Sequence, residues 1–218
     1  MTSNDIVLMS DPRVAAVPVQ ECGEALVDVR DHGLRVDNRR SDDTGAFAHL
    51  REGVLTRLLH AQDLLPNGLR LLFVEGYRPP ALQRTYFEAY HDELTRTNPH
   101  WPATRVREAA SRFVSPPEIA PHSAGAAVDL TLIDADGQEL DMGCRVNANP
   151  EESGGACYTD APGLSVQTRA NRTVLVDVLT SAGLQNYRTE FWHWSFGCRY
   201  WALQSQQPTA LYGPVEMP

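Results

Sequence analysis

Apolar residues recur every three or four positions in several stretches of the chain, the period of an amphipathic helix. The first such stretch holds Phe47, Leu50, Val54, Leu58, Ala61 and Leu65, after the capping cluster Ser41-Asp42-Asp43-Thr44 and before the breaker Pro66-Asn67-Gly68. The next begins at Pro79-Pro80, where proline suits the first helical turn, and carries Leu82, Tyr86, Tyr90 and Leu94 towards Thr97. A shorter helix with Val106, Ala109, Ala110 and Phe113 ends at Pro116-Pro117. Ser165 to Ala182 is predicted helical through Val174, Leu175, Val178, Leu179 and Ala182, with Gly183 as its C-terminal cap.

Other stretches have the length and flanks of strands. Leu69 to Val74 is a compact apolar run between turn residues, which predicts a buried strand delivering Glu75-Gly76-Tyr77-Arg78 at its end. From Ala126 to Ile133, alternation puts Val128, Leu130 and Leu132 on a core face and Ala127, Asp129 and Thr131 on the other. Asp134-Ala135-Asp136-Gly137 then supplies a hairpin turn. A last strand is expected over Glu190 to Phe196, and Asn147 to Pro162 reads as a long loop or lid. Val14 to Val19 and Ala25 to Val29 read as extended segments broken by turns, and Trp201 to Pro218 as an irregular tail. Strands and helices without regular βαβ alternation predict an α+β fold, an antiparallel central sheet with helices packed on it. One domain over residues 1–218 is expected, with an irregular segment over about 1–40 and the tail packed against it.

Composition narrows the function. The 218 residues are 42% hydrophobic and 22% charged, an ordinary globular balance. A net charge of -9 argues against a nucleic-acid partner, because phosphate contacts need clustered Lys and Arg. The chain lacks a long apolar run and a leader-like start, so a cytoplasmic protein with no membrane partner is expected. Cys22, Cys144, Cys157 and Cys198 show no C-x-x-C spacing, and free thiols are expected, with a Cys144 to Cys157 disulfide as the alternative.

Candidate chemistry gathers in two places. His122 and Asp129 flank Gly125, whose freedom would let the chain turn so that both side chains reach one point. Alone, this pair also fits a capped turn and a solvated carboxylate. Glu190 and His193 lie among Phe191, Trp192, Trp194 and Phe196, where charged groups are costly unless paired or metal-bound. A salt bridge beside an aromatic core is the alternative there. In a regular strand residues three apart face opposite sides, so Glu190 and His193 share a site only if the strand starts after Glu190 or is bulged. Together His122, Asp129 and His193 supply two imidazoles and a carboxylate, the donor set of a one-ion catalytic zinc site with a position left for water. Zinc brings the pKa of such a water to about 7. Glu190 would be the general base, and Arg78 the group that stabilises a carbonyl becoming an oxyanion.

Glu75-Gly76-Tyr77-Arg78-Pro79, His122-x-x-Gly125-x-Ala127-x-Asp129-Leu130-Thr131-Leu132, Met142-Gly143 and Glu190-x-Trp192-His193 resemble, in order and spacing, the motifs of the VanX-type D-alanyl-D-alanine dipeptidases. These zinc peptidases are related to D,D-carboxypeptidases and share their metal site with hedgehog proteins. The resemblance implies zinc ligands at His122, Asp129 and His193, a base at Glu190 and a transition-state arginine at Arg78. Glu75 then supports that arginine, and Ser123 and Asn147 become supporting or substrate-contacting residues. The implied partner is a small D-amino-acid-containing peptide. The chain departs from the family at Ala120, where a serine is usual, and at Asn147, where an aspartate holds the substrate ammonium. Either Glu151 or Glu152 replaces that aspartate, or the substrate is not the usual dipeptide. The readings left open are therefore a D-Ala-D-Ala dipeptidase, a D,D-carboxypeptidase on longer peptidoglycan precursors, and a non-catalytic zinc-stabilised binding module.

Overall fold

A computed structural model describes residues 6–217. In chain order its elements are α1 (Pro12–Ala16), β1 (Leu26–Asp28), β2 (Arg35–Val36), β3 (His49–Arg51), α2 (Glu52–Leu64), β4 (Arg70–Glu75) and α3 (Pro80–Thr97). There follow α4 (Ala103–Ala110), β5 (Ala127–Ile133), α5 (Val166–Ser181), β6 (Gln185–Asn186), β7 (His193–Ser195) and α6 (Arg199–Gln204). The fold is α+β, as the element pattern predicts. Its central sheet has the order β2-β4-β5-β7-β6, and β1 pairs with β3 separately. Four central strands run antiparallel, whereas the two-residue edge strand β2 is parallel to β4, so the sheet is mixed. The chain from β2 to β4 passes through α2, and such a crossover returns a strand in the same direction.

One core face carries Phe73, Val128, Leu130, Leu132 and Trp194, packed with Leu55 and Leu58 of α2 and Leu175 and Leu179 of α5. A second cluster joins Phe87, Tyr90 and Leu94 of α3 to Val106, Ala109 and Ala110 of α4. The buried side of α3 therefore runs through Gln83, Phe87, Tyr90 and Leu94, rotated from the expected face; Leu82 and Tyr86 are only partly buried because they border clefts.

Several boundaries differ from the periodicity. Phe47 and Leu50 fit the spacing of α2 but precede it, Leu50 being paired with Val27 in a strand. Asp42 caps a turn instead, accepting from the amides of Thr44, Ala46 and Phe47. Val14 lies in α1, which Asp11 caps and Pro12 starts, and the expected tail opens with α6, capped by the Cys198 thiol. The four cysteines are free, Cys157 and Cys198 buried, Cys144 partly buried and Cys22 exposed. The 147–162 segment has no helix or strand. Buried Arg172 pins the preceding and central parts of it, donating to the carbonyls of Met142, Ala156, Tyr158 and Thr159. Arg51 performs a similar task between the ends of the chain, donating to the carbonyls of Glu24, Ala124 and Gly213. Among the described residues, no helix is long and apolar enough to cross a membrane.

Candidate metal centre

The site lies across the middle of the sheet. Glu75 on β4, Asp129 on β5 and His193 on β7 are successive cross-strand partners, so their side chains form a row. Glu75 joins that row only because the β4–β5 register shifts between Phe73 and Glu75. Regular alternation after Phe73, which pairs with core-facing Leu130, would turn Glu75 to the core. His122 enters from the turn His122–Ala124, which ends at Gly125 in the left-handed region (φ 63°). A Cβ at Gly125 would stand 2.3 Å from Leu26 Cδ2 and 3.3 Å from Arg51 N, so Leu26 would have to move. The backbone of this turn is tied to β4's exit, Arg78 N donating to His122 O at 3.2 Å.

β7 starts at His193, after a turn containing Glu190, and so the two residues need not alternate along one strand. That is one of the two ways in which they could share a site. Candidate ligand atoms of His122, Asp129 and His193 all lie within 4.8 Å of one another, and all three residues are buried. The Nδ1 of His122 lies 2.6 Å from Gly76 O, an acceptor, and must donate there. Its Nε2 then faces Asp129 Oδ1 at 3.4 Å, and His193 Nδ1 approaches the same oxygen at 3.0 Å. Among the described residues, His193 Nε2 is buried without a partner. Two imidazoles converging on one carboxylate, with an unpaired ring nitrogen, make a donor set that accommodates a cation, and its composition of two histidines and one carboxylate fits zinc.

The electrostatics separate two carboxylates. Burial favours the neutral form of Asp129, but His122 and His193 outweigh it and hold the carboxyl well below its ordinary range. Among the described residues Glu190 has no compensating side-chain hydrogen bond: burial, then the nearby charge of Asp129, pushes its pKa well above the usual value against the pull of Arg78. Burial also lowers the pKa of His193 despite Asp129, which leaves the imidazole neutral as a ligand requires.

Arg78 is buried and held by three hydrogen bonds. Its Nε and Nη2 donate to the two oxygens of Glu75 at 2.7 and 2.8 Å, and its Nη1 donates to Gln83 Oε1 at 2.9 Å. Gln83 in turn donates to Ser115 O at 2.7 Å, so α3 and the segment after α4 both hold the guanidinium. Ser123 is buried behind the site, its hydroxyl donating to Arg78 O at 3.0 Å and its carbonyl accepting from Val215 N. It does not line the cleft.

A cleft of about 280 Å³ opens over this row, walled by Tyr86, Tyr90 and Glu93 of α3 and by Phe113 to Ser115, with Arg78, Glu190 and the His–Asp–His group at its base. Asn147 lines it in the left-handed conformation (φ 62°). With its amide nitrogen turned to the metal group, Asn147 donates to Asp129 Oδ2 at 3.2 Å and accepts from Arg40 Nε at 3.1 Å. Glu152 is drawn away by Arg145 at 2.8 Å, whereas Glu151 accepts from the Tyr90 hydroxyl at 2.6 Å. Sequence patterning missed Arg40, Gln83 and Tyr90 as site residues. Arg40 lies in a polar stretch without periodicity, Tyr90 falls on the helical spacing of α3, and a buried glutamine in the first turn of α3 carries no periodic signal.

A desolvated glutamate and a clamped arginine beside a two-histidine, one-carboxylate cluster form the arrangement used by metal-dependent hydrolases. The chain belongs to the Peptidase_M15 family, described as D-ala-D-ala dipeptidase, whose model matches residues 40–207; it is therefore an M15 metallopeptidase. It is 29% identical over 240 residues to a D-alanyl-D-alanine dipeptidase of Synechocystis sp., covering 92% of this chain and 96% of that protein. It is 30% identical over 142 residues to a D-alanyl-D-alanine dipeptidase of Enterococcus faecium, covering 63% of this chain and 67% of the other. A solved structure of a vancomycin-resistance D,D-pentapeptidase aligns with a TM-score of 0.41 and 16% identity over 88% of this chain and 90% of that one, too distant a likeness to support an argument.

Proposed function

We propose that this protein is a zinc-dependent dipeptidase, acting as one domain on D-Ala-D-Ala or a related small D-containing dipeptide. His122, Asp129 and His193 would hold one zinc ion. The observation that carries this reading is the convergence of both imidazoles on Asp129, with a buried ring nitrogen left unpaired, at the base of a cleft in an M15 chain. Bound there, zinc would supply Lewis-acid activation of water at neutral pH.

The remaining work falls to the chain. Glu190 takes the proton of the attacking water and passes it to the leaving amine, and its raised proton affinity suits a group that must hold a proton between these events. Arg78 supplies positive charge to the attacked carbonyl oxygen as it becomes anionic. Because Glu75 and Gln83 already orient its guanidinium, little reorganisation is needed as that charge develops. The aromatic wall of Tyr86, Tyr90 and Phe113 limits water, and a cleft of about 280 Å³ suits a small substrate.

The test is a metal-quantified assay with D-Ala-D-Ala. Chelation should abolish turnover and zinc should restore it, while Glu190→Ala should keep zinc but lose about 10²–10⁴-fold in kcat. Near-normal turnover by Glu190→Ala would remove the base assignment. Asn147 favours a second reading, a D,D-carboxypeptidase on longer precursors, because a neutral amide stands where the family's ammonium-binding aspartate is expected. An N-acylated tripeptide ending in D-Ala-D-Ala discriminates them: faster cleavage of the tripeptide than of the free dipeptide selects the carboxypeptidase.

A further inference from the structure

The loop between β2 and β3 carries two adjacent arginines with different fates. Arg39 pairs with Asp37 and Glu139 and lies outside the metal cleft. Arg40 lines that cleft with about a third of its side chain exposed. The nearby acids are already committed. Asp42 caps its own turn, and both oxygens of Glu75 accept from Arg78, which leaves Glu75 Oε2 3.9 Å from Arg40 Nε. The contact within hydrogen-bonding range is Arg40 Nε to Asn147, at 3.1 Å. Among the described residues, the two Nη groups of Arg40 have no protein acceptor.

A guanidinium offers a planar fork of donors that matches a carboxylate, and leaving that fork idle in a partly desolvated cleft wastes its strongest interaction. The other arginine of the cleft, Arg78, has its Nε–Nη2 edge taken by Glu75 and one Nη1 donor by Gln83, and its remaining charge is assigned to the attacked carbonyl oxygen. Asn147 ties the idle fork to the metal group: one side of its amide holds Arg40 and the other holds Asp129 Oδ2 at 3.2 Å. A neutral residue is needed for this bridge. An aspartate at 147 could not donate to Asp129, and it would pair with Arg40 and neutralise it. The departure from the family at Asn147 and the unused Nη groups of Arg40 are thus one feature. On the α3 side the cleft carries the opposite sign, from Glu93.

We infer that Arg40, positioned by Asn147, binds the free carboxylate of the substrate. It is a specificity-determining residue for peptides that end in an unblocked acid beside the scissile bond. The inference rests on the proposed peptidase activity for its substrate but concerns a different group of atoms from the metal and the base.

The test compares D-Ala-D-Ala with its C-terminal amide, on zinc-loaded wild-type protein and on Arg40→Gln and Arg40→Lys. The acid should be preferred by the wild type. Arg40→Gln should raise KM for the acid by about 10- to 100-fold with kcat changed much less, and should leave the amide's kcat/KM unaltered. Arg40→Lys should recover part of the loss by keeping the charge. Calorimetric titration of both ligands into zinc-loaded Glu190→Gln reads the same preference without turnover, and adding Arg40→Gln should erase it. Equal effects of Arg40→Gln on acid and amide, or an unchanged KM for the acid, would overturn the role of Arg40. No turnover of either ligand by wild type, with the acid still bound more tightly than the amide, would instead overturn the peptidase reading and leave the carboxylate subsite standing.

Discussion

Glu75 stands directly across the β4–β5 ladder from Asp129 because the strand slips by one residue after Phe73. Two carboxylates facing one another repel, and Arg78 relieves this by donating to both oxygens of Glu75. Removing Glu75 therefore strands a buried guanidinium. Glu75→Ala should cost about 3–5 kcal/mol of stability and lower kcat by misaiming Arg78. Urea denaturation together with turnover checks this; wild-type stability in Glu75→Ala would show that Gln83 suffices to hold Arg78.

Gly76 supports the first histidine through its carbonyl and tolerates no side chain. A Cβ there would stand 2.4 Å from His49 O, a backbone atom that cannot swing aside. Gly76→Ala should destabilise the fold by about 1–3 kcal/mol and weaken zinc binding by roughly 10-fold or more, since relieving the clash displaces the backbone carbonyl that orients the His122 ring. Competition against a chelator measures the affinity. An unchanged zinc affinity would mean that His122 is aimed by something else.

The buried Glu190 makes the metal-free protein sensitive to pH in a definite direction. Its folded pKa is raised above the unfolded value of about 4.3, so below that pH both states are protonated and nothing is lost. As pH rises above it, the unfolded chain releases the proton first and stability falls until the folded carboxyl also ionises. Metal-free Glu190→Gln should match the wild type at acid pH and become the more stable protein as pH rises towards and past neutrality. Thermal melts across that range provide the comparison, and a gap that shrinks with rising pH would contradict the assignment.

Arg172 predicts a structural effect at a distance from the chemistry. It stacks over Phe191, next to Glu190, at 4.4 Å and holds the carbonyls of Met142, Ala156, Tyr158 and Thr159. Arg172→Met keeps the packing but leaves the carbonyls of Met142, Ala156 and Thr159 without their donor, while Tyr158 O keeps the Ala161 amide, at an expected cost of about 2–4 kcal/mol. Amide exchange should quicken over residues 142–162 before it does in β4 and β5. Uniform exchange across the chain would show that Arg172 does not pin this segment separately.

The chemistry of the site was legible in residue types and spacing. His122, Asp129, Glu190, His193, Arg78 and Glu75 all come to one cleft or its immediate support, and β4, α3, β5 and α5 lie within a few residues of the expected limits. Periodicity failed where local pattern and pairing compete. Leu50 keeps helical spacing with α2 yet sits in a strand, since pairing with β1 satisfies its backbone and buries its side chain. Ser123 and Asn147 were legible as positions but not as contacts.

By itself the sequence determined the α+β class, the helices and buried strands that make the core, and the set of donors available to a metal. These follow from short-range causes: hydrophobic period, proline and glycine punctuation, and the costly placement of polar groups among aromatics. Tertiary structure decided what those groups face. The slip after Phe73 turned Glu75 towards Asp129, the late start of β7 let Glu190 and His193 share a cleft, and Asn147 came to rest between Arg40 and Asp129. Each depends on register or on a contact between residues far apart in the chain, and a single-residue shift that reverses a side chain leaves no mark on hydrophobic spacing.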